Sequence, residues 1–407
     1  MDSFNQAKSI VSTLNKAGFI AYFAGGWVRD YVMGHPSEDI DIATNASPQE
    51  IMHLFPNTIL VGLAFGVVIV VKEGHQFEVA TFRKDLGYED GRHPTGIVQS
   101  TPQEDALRRD FTINGMFYDP LEEVIHDYVH GREDIQRAII RTIGNPYDRF
   151  FEDRLRMLRA FRFSARFGFT IEPETQQAIM ENAEKLFPSV AMERVWQEFN
   201  KMAAYKSFDQ ALVEMHRSTL LDVIFPEIIG MHIKDLRHSV ASFAHFPAGC
   251  PTILYLIALL PTIALDQKIE IVKRLKASKK DMKLVEYVEH LKVLLMKEAE
   301  PYEWAKFFAD PFWQLALKWI AAPFSAPERE AFLYEKIKYM ESLSPHVQRI
   351  RDNVPLITAA HLQKEGVLPG RQMGLIMKVA EKMAVNSNFN EAEALMIALK
   401  QSPLWKT

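Results

Sequence analysis

The chain has 407 residues, which predicts two to four domains at roughly 100–200 residues each. Hydrophobic residues make up 48% and charged residues 24%, a composition typical of packed globular cores and not of disordered chains. The formal net charge of -5 excludes a generally basic protein that attracts nucleic acid along its whole length, so such binding would need local basic patches.

Cysteine content and apolar run lengths indicate the compartment. The single cysteine, Cys250, excludes an internal disulfide framework and multi-cysteine metal sites, and it favours a reducing cytoplasm. The apolar stretches at 59–71 and 253–265 are interrupted by glycine or proline and fall short of the ~20 residues that span a bilayer. The first residues lack the basic flank of a secretory signal. We therefore expect a cytoplasmic protein with no membrane segment.

The first part of the chain mixes helical and strand patterns. Apolar residues recur at helical spacing from Ser3 to Ala17, and Gly18 ends that helix before a strand at 19–23. A glycine pair then precedes a second helix, which starts near Trp27. Further predicted elements are a strand at 39–44, a helix between Pro48 and Pro56, and strands at 66–71 and 77–82. These elements predict a small sheet domain.

The remainder of the chain reads differently. Beyond about Ile140 the strand signals fade, and long amphipathic stretches are separated by prolines. The predicted fold class is therefore α+β, with an N-terminal mixed sheet followed by an all-helical remainder.

Two short motifs near the N-terminus carry chemistry. Asp39 and Asp41 stand two apart on a predicted strand, so both side chains would project from one face and could share divalent cations. Gly25 and Gly26 lie between a strand and a helix, where backbone N–H groups favour phosphate oxygens. Taken singly, the aspartates also fit exposed strand acids and the glycines fit an ordinary tight turn.

The order glycine pair, short helix, Asp-x-Asp resembles the nucleotidyltransferase superfamily built on the DNA polymerase β palm. Within it, the chain resembles the class II branch, which contains tRNA CCA-adding enzymes and bacterial poly(A) polymerases. The resemblance implies that Asp39 and Asp41 are catalytic and hold Mg²⁺, and that Gly25 and Gly26 hold the triphosphate. It also implies a catalytic head, a neck, a body resembling a degenerate phosphohydrolase domain, and a tail. We place these domains at 1–140, 141–200, 201–320 and 321–407.

Three later segments extend the resemblance. Residues 108–114 are similar to the family's Arg-x-Asp-x-x-x-Asn segment for triphosphate and ribose, and 151–156 resemble its Glu-Asp-x-x-Arg motif for base selection. Residues 193–198 resemble a helical motif that steadies the nucleotide-binding helix. We add two arginines that continue the base-selecting helix, but not Arg166. The nucleotide-binding set implied by the resemblance is Gly25, Gly26, Arg29, Arg109, Asp110, Asn114, Asp153, Arg156, Arg159 and Arg162.

Hydrogen-bonding capacity connects one of these motifs with base choice. Asp153 is an acceptor only and Arg156 a donor only. Cytosine and adenine each offer an exocyclic amine beside a ring-nitrogen acceptor, whereas uracil and guanine present the reverse pattern. An Asp–Arg pair at a helical spacing of three can therefore accept C and A and reject U and G.

Glu78, on the strand at 77–82, is a candidate third metal carboxylate, although an exposed strand position explains it equally well.

Two segments bear on the subtype. Tyr88–Pro94 resembles the flexible loop of CCA-adding and A-adding enzymes, although His93 departs from the arginine usual there. The run 61–67 resembles the CCA type and not the poly(A) polymerase type. No phosphohydrolase activity is predicted, because the one His-Asp pair, His126-Asp127, lies in the nucleotidyltransferase segment. A basic stretch in the helical part comprises Lys273, Arg274, Lys276, Lys279, Lys280 and Lys283. These residues either bind tRNA phosphates or form an ordinary solvated helix surface.

The resemblance thus predicts an enzyme that adds C, C and A to tRNA 3′ ends from CTP and ATP with Mg²⁺. A dedicated A-adding enzyme working with a CC-adding partner enzyme is the first alternative. A poly(A) polymerase and an inactive tRNA-binding relative are the others.

Overall fold

A computed structural model describes residues 3–35, 37–60, 66–88 and 94–405. The chain forms two compact units, Met1–Arg237 and His238–Thr407. Within the described ranges, no helix is both long enough and apolar enough to cross a membrane.

The first unit opens with a region of mixed helices and strands, as predicted. Its elements in chain order are α1 (Ser3–Lys16), β1 (Ala21–Ala24), α2 (Gly26–Val32), β2 (Asp41–Thr44), α3 (Pro48–Leu54), β3 (Thr58–Leu60), β4 (Val67–Lys72), β5 (His75–Thr81), β6 (Arg83–Tyr88), β7 (Pro94–Gln99), α4 (Pro102–Leu107), a 3₁₀ helix (Thr112–Asn114), β8 (Met116–Asp119), β9 (Val124–Asp127), α5 (Gly131–Gln136) and β10 (Ile139–Ile140).

Helices dominate the rest of this unit. The elements are α6 (Pro146–Glu152), α7 (Leu155–Phe167), β11 (Thr170–Ile171), α8 (Pro173–Asn182), a 3₁₀ helix (Ala183–Leu186), α9 (Met192–Met202), α10 (Phe208–Arg217), α11 (Leu220–Ile224), a 3₁₀ helix (Pro226–Ile228) and α12 (Ile233–Ala241), which contains the division between the units.

The second unit is helical throughout its described length. Its elements are a 3₁₀ helix (Ser242–His245), α13 (Thr252–Ala258), α14 (Leu265–Arg274), α15 (Lys279–Met296), α16 (Pro301–Ala309), α17 (Trp313–Ala321), α18 (Ala326–Ser342), α19 (Ser344–Asp352), α20 (Ala359–Lys364), α21 (Arg371–Asn386), α22 (Ala392–Lys400) and a 3₁₀ helix (Pro403–Trp405). The predicted α+β class with a helical remainder is confirmed.

The main sheet has the strand order β3-β4-β5-β2-β1-β8-β9. Among its described strand pairs, β2 and β5 are parallel and the others antiparallel. One face packs on α1, α2 and α3 through a core that includes Ile10, Phe23, Ile42, Ile51 and Val79. This apolar face fixes the register, because side chains alternate between the two faces along each strand.

The opposite face of the sheet carries the functional positions. Ala24, Ala43 and Phe117 are buried there, beneath Ala106 of α4. Asp41 and Glu78 alternate in phase with Ala43 and Ala80 on the adjacent strands β2 and β5, so they share this face. Both carboxylates therefore project from neighbouring strands toward the same side.

The segment between the sheet and α4 is a β-hairpin. Strands β6 and β7 pair antiparallel from Arg83↔Gln99 to Tyr88↔Pro94. Its connecting residues 89–93 lie outside the described residues, as does 61–65. The predicted resemblances of the 88–94 loop and the 61–67 run therefore stay predictions.

Helix α7 follows its sequence pattern closely. Met157, Leu158, Phe161 and Ala165 are buried, as the spacing predicts. The helix ends at Gly168, whose φ of 69° is left-handed and whose N–H donates to the Ser164 carbonyl at 2.8 Å. The arginines of α7 lie outside this apolar stripe, and Arg162 among them is itself buried.

Candidate active site

A cavity of about 860 Å³ lies within the first unit, on the face of the sheet that carries Asp41. The residues that line it come from the sheet region with its adjoining turns and helices, from the α6–α7 junction, and from α7 and α9. They are Gly25, Gly26, Arg29, Asp39, Asp41, Glu78, Arg108, Arg109, Asp110, Asn114, Asp153, Leu155, Arg156, Arg159, Arg162, Phe163, Arg166, Arg194 and Lys201. All the predicted site residues thus meet in one cavity.

Three carboxylates form the floor of the cavity. Asp41 is the first residue of β2, and Glu78 lies on the adjacent strand β5. The predicted strand start at residue 39 is two residues too early, because β2 begins at Asp41 and Asp39 lies in the segment before it. The chain turns into β2 at this point and still brings Asp39 to the cavity wall.

The carboxylates affect one another electrostatically. Although Asp41 is exposed to solvent, the surrounding protein removes part of its hydration; this and the negative charges of Glu78 and Asp39 raise the pKa of Asp41 to about 6, and Arg109 opposes this shift. Like charges held close together in this way attract a cation. Within the described residues, no group of three or more His, Cys, Asp or Glu side chains is arranged to enclose a metal ion. The donor set suits a hard cation that keeps water and phosphate ligands as well.

The glycine pair supplies backbone geometry that other residues resist. Gly25 has φ 67° and ψ -125°, a conformation essentially restricted to glycine. A Cβ at Gly25 would lie 3.1 Å from Nη1 of Arg109 and 4.0 Å from Oδ2 of Asp41. The turn therefore requires glycine both for its backbone conformation and for the lack of space for a side chain. It places backbone without a side chain beside the carboxylates on the floor of the cavity.

Asp105 fixes the two arginines at the end of α4. Its side chain is 2% exposed and accepts two hydrogen bonds from Arg108 on Oδ1 and two from Arg109 on Oδ2. The Arg83 N–H, at the base of the β6–β7 hairpin, also donates to Oδ1 at 3.2 Å. The Arg109 guanidinium lies 4.9 Å from the Phe117 ring centroid. Arg109 is thus held rigidly at the cavity wall.

The next part of the wall is a connected polar chain. Asn114 Nδ2 donates to Asp110 at 3.0 Å, while its Oδ1 accepts from Arg29 at 2.6 Å. Arg159 pairs with Oδ2 of Asp110. Burial alone would raise the pKa of Asp110, but Arg159 and Asn114 outweigh it and hold the pKa well below its usual range. Arg29 is only 3% exposed, so it borders the cavity mainly as part of this network.

Asp153 and Arg156 do not share a helix, which corrects the predicted helical spacing. Helix α6 ends at Glu152, and Asp153 has extended backbone with φ -147° before α7 begins at Leu155. Asp153 accepts from the Leu155 N–H at 3.0 Å and from both terminal nitrogens of Arg194. Arg156 pairs with Glu152. The break between the two helices orients the carboxylate and the guanidinium toward the same cavity.

The arginines of α7 are arranged against aromatic rings. Arg162 lies 4.2 Å from the Phe163 ring centroid, and Arg166 lies 4.9 Å from that of Phe167. Arg162 Nε also donates to Glu198 of α9 at 2.6 Å. These contacts restrict the guanidinium groups before any substrate enters.

Sequence reasoning missed five lining residues besides Leu155: Arg108, Phe163, Arg166, Arg194 and Lys201. Helical periodicity carried a signal for Arg166, which follows Arg162 by four residues. It pairs with Asp30 of α2 at 2.8 Å. The contact of Arg194 with Asp153 joins residues 41 positions apart in the sequence, a separation that no local pattern spans.

Two other candidate features lie outside the cavity. The carboxylate of Asp127 accepts the N–H groups of Val129, Gly131 and Arg132, so it stabilises the start of α5. The basic stretch lies in the second unit, at the turn from α14 to α15. Its exposed lysines are Lys273, Lys276, Lys279, Lys280 and Lys283.

Comparison with known proteins agrees with this geometry. Residues 21–141 match the family described as the Poly A polymerase head domain, and 168–230 match one described as a probable RNA and SrmB-binding site of polymerase A. With the glycine pair and carboxylates in one cavity, these matches define a nucleotidyltransferase.

Comparison with individual relatives identifies the family more specifically. The chain is 32% identical over 409 residues to the CCA-adding enzyme of Pediococcus pentosaceus, a match that covers 98% of each chain. It is 46% identical over 203 residues to the CCA-adding enzyme of Anoxybacillus flavithermus, a match that spans about half of either length (49% of this chain and 50% of the relative). The structure of the Bacillus stearothermophilus CCA-adding enzyme in complex with CTP is similar, with a TM-score of 0.80, 29% identity and 98% coverage of both chains.

The chain therefore belongs to the family of CCA-adding enzymes. Nucleotidyltransferases of this family use divalent metal ions.

Proposed function

We propose that this chain adds C, C and A in turn to the 3′ end of tRNA, from CTP and ATP, without a nucleic-acid template. The observation that carries the proposal is the meeting of Asp153 and Arg156 with Asp39 and Asp41 in one cavity. A base-selecting pair beside a candidate metal site suits the polymerisation of particular nucleotides. The relatives' names and the CTP complex support the same reaction.

The reaction is an in-line attack of the RNA 3′-oxygen on the α-phosphorus of the nucleotide. A new P–O bond forms, the bond to the pyrophosphate oxygen breaks, and the hydroxyl proton passes to solvent. In the proposal Asp39 and Asp41, with Glu78 as a third carboxylate, hold Mg²⁺. When bound, Mg²⁺ would lower the pKa of the attacking hydroxyl and offset charge on the departing pyrophosphate.

The protein's own residues bind and orient the nucleotide. We propose that Gly25, Gly26 and Arg109 hold the triphosphate, since the glycine backbone is bare and Arg109 is fixed beside it. Arg159 and Asp110 form a second charged element of the wall, with Asn114 for the ribose. Arg29 and Arg162 complete the proposed set as rigid cations against Phe163. Such preorganised positive charge stabilises charge that develops on phosphate oxygens.

Base choice follows from the hydrogen-bonding atoms that remain available. A carboxylate has about four acceptor positions. Asp153 uses three of them, for Leu155 and the two terminal nitrogens of Arg194. Arg156 donates from its two terminal nitrogens, and its Nε makes no hydrogen bond within the described residues. One acceptor position on Asp153 and two N–H groups of Arg156, on Nε and Nη2, are thus left, and an acceptor beside a donor is the combination that pairs with the amine and ring nitrogen of C or A.

The RNA would lie partly outside this cavity. We propose that the exposed lysines at the α14–α15 turn contact tRNA phosphates, which requires no sequence readout. We also retain the proposed domains, with the head at 1–140, the neck at 141–200, the body at 201–320 and the tail at 321–407. A cytoplasmic location is part of the same proposal, because the substrates are found there.

The test uses three tRNA transcripts that end before the CCA, after C and after CC. Each is incubated with CTP, with ATP and with both, in the presence of Mg²⁺. Full extension of all three supports CCA addition. Extension of the CC-ended transcript alone would instead identify an A-adding enzyme, and long tails a poly(A) polymerase.

Two sets of variants separate catalysis from RNA binding. Asp39→Ala with Asp41→Ala should abolish incorporation and leave the circular dichroism spectrum unchanged, and retained activity would refute the metal assignment. Charge reversal of Lys276, Lys279 and Lys280 should weaken tRNA binding more than CTP binding. Equal loss of both would refute the proposed RNA contact.

A further inference from the structure

One cation on the cavity wall is paired differently from the rest. In the described part of the chain, eight arginines line the cavity, and each has a carboxylate oxygen within 3.0 Å. Lys201 lines the same cavity, and its Nζ lies 3.8 Å from Oε1 of Glu198. Lys201 is therefore the most loosely paired of the lining cations.

Glu198 is already committed to another partner. Arg162 Nε donates to its Oε2 at 2.6 Å, and the Glu198 side chain is only 3% exposed. The Lys201 side chain is 57% exposed. An ion pair at such a distance to an exposed lysine contributes little to stability, because solvent screens it. The ammonium group of Lys201 is consequently available to a ligand in the cavity.

The neighbouring side chains indicate the charge of that ligand. Arg162 and Arg166 lie on the wall formed by α7, and Arg166 shares its carboxylate partner, Asp30, with Arg29. Lys201 adds positive charge that Glu198 does not offset. The candidate cation-binding carboxylates Asp39 and Asp41 belong to the sheet region, whereas Lys201 belongs to α9. An uncompensated ammonium group in a basic wall favours an anion, and lysine binds phosphate as a point charge.

We propose that Lys201 binds a phosphate group of one of the two substrates in the cavity. The phosphate belongs either to the nucleoside triphosphate or to the phosphodiester beside the RNA 3′-hydroxyl. This assignment rests on the proposed function for the identity of its substrates. Lys201 is then a substrate-binding residue contributed by α9. The family resemblance implies only that this helix steadies the nucleotide-binding helix.

A purely structural role for Lys201 makes different predictions. Lys201 lies in the last turn of α9, where a positive charge interacts favourably with the helix dipole. If that were its whole function, replacing it would lower the melting temperature and leave substrate affinity unchanged. Measurements of substrate affinity therefore separate the two roles.

The experiment compares Lys201→Gln and Lys201→Arg with Lys206→Gln. Lys206 is exposed, follows Lys201 by five residues and does not line the cavity, so it controls for general loss of charge. Dissociation constants are measured separately for CTP with Mg²⁺ and for a tRNA transcript that ends before the CCA. Neither measurement requires turnover, and melting temperatures verify folding.

We expect Lys201→Gln to weaken one of these ligands by about tenfold, equivalent to about 1.4 kcal/mol. Weakened CTP binding assigns the triphosphate. Weakened tRNA binding assigns the phosphodiester, and the slope of log Kd against log salt should then fall by about 0.7–0.9. Lys201→Arg should retain most of the affinity, and Lys206→Gln all of it.

Two results would overturn the inference: unchanged affinity for both ligands, or equal losses in Lys201→Gln and Lys206→Gln. Extension of the transcripts by the unaltered enzyme is followed in parallel. An inactive unaltered enzyme whose CTP affinity still depends on Lys201 would refute the proposed function and not the phosphate contact. An active enzyme indifferent to Lys201 would refute only the contact.

Discussion

Arg194 of α9 donates two hydrogen bonds to the carboxylate of Asp153, with Nη2 2.9 Å from Oδ2 and Nη1 3.3 Å from Oδ1. Asp153 itself lies in the break between α6 and α7, where its Oδ1 also accepts the N–H of Leu155, the first residue of α7. The two-point contact therefore orients the acceptor that we propose for base selection, and it adds specificity through its geometry.

Replacing Arg194 should reduce base discrimination. In Arg194→Gln the Asp153 carboxylate loses two charge-assisted hydrogen bonds and samples other rotamers. We expect the preference for CTP over UTP, as a ratio of kcat/KM values, to fall by about tenfold, or about 1.4 kcal/mol. Arg132→Gln, at an exposed arginine away from the cavity, should leave the ratio unchanged. An unaltered ratio in Arg194→Gln would show that Asp153 does not need this support.

Asp105→Asn should destabilise the first unit and weaken nucleotide binding. The substitution leaves Arg108 and Arg109 without their buried counter-charge, and breaking a buried ion pair costs about 3–5 kcal/mol. Urea unfolding measures the loss, and KM for CTP should rise because Arg109 is no longer held. Asp266→Asn, at an exposed position, is the control.

The same residue predicts a dependence on pH. Burial alone would raise the pKa of Asp105, but Arg109 and Arg108 outweigh it and lower the pKa below its ordinary value. Its contribution to stability is therefore fully present above the ordinary aspartate pKa of about 3.9 and is lost as pH falls through the lower folded-state value. Acid unfolding curves of Asp105→Asn should lack this component. Parallel curves for the unaltered protein and the variant would contradict the assignment.

Gly25→Ala should impair catalysis beyond its effect on backbone strain. The residue has φ 67°, and a Cβ would approach Arg109 Nη1 to 3.1 Å. Gly18→Ala is a matched control, because φ there is 91° but nothing lies within 4 Å of a Cβ. Both substitutions should cost about 1–3 kcal/mol of stability. Only Gly25→Ala should lower kcat/KM for CTP, by at least about tenfold, and an equal effect of both would refute a special role for the turn.

Asp41→Asn should stabilise the metal-free protein at neutral pH while abolishing activity. The pKa of Asp41 is raised to about 6, so between about pH 4 and 6 the folded protein binds more protons than the unfolded chain. Stability therefore falls as pH rises through this window, and the charged carboxylate is unfavourable at pH 7.5. In a chelator, Asp41→Asn should melt at a higher temperature than the unaltered protein at pH 7.5, with a smaller difference near pH 4.

Metal and an exposed control complete this measurement. Adding Mg²⁺ should raise the melting temperature of the unaltered protein more than that of Asp41→Asn, because ligand binding to the folded state stabilises it. Glu122→Gln, an exposed carboxylate outside the cavity, should show neither effect. A lower melting temperature for Asp41→Asn at pH 7.5 would contradict the electrostatic account.

Local patterns predicted the elements that carry the site. The helical stripe of α7 and the alternation that puts Asp41 on the functional face reflect periodicities of the backbone itself, and the glycine pair reflects the conformational freedom of glycine. The same reasoning failed where chain segments leave regular structure. Asp39 lies before β2, and Asp153 lies between two helices. Periodicity assigns such residues to the nearest element, whereas their positions depend on turns.

The sequence by itself determined the fold class, the motif order and the family resemblance, because strand and helix periods and spaced motifs are properties of neighbouring residues. Only the tertiary structure decided how the charges are paired. Arg109 is held by Asp105, Asp153 by Arg194 and Arg166 by Asp30, while Lys201 has only a distant contact with Glu198. The pairs Asp153–Arg194 and Asp30–Arg166 join different elements, and their choice depends on packing distances that no local pattern encodes.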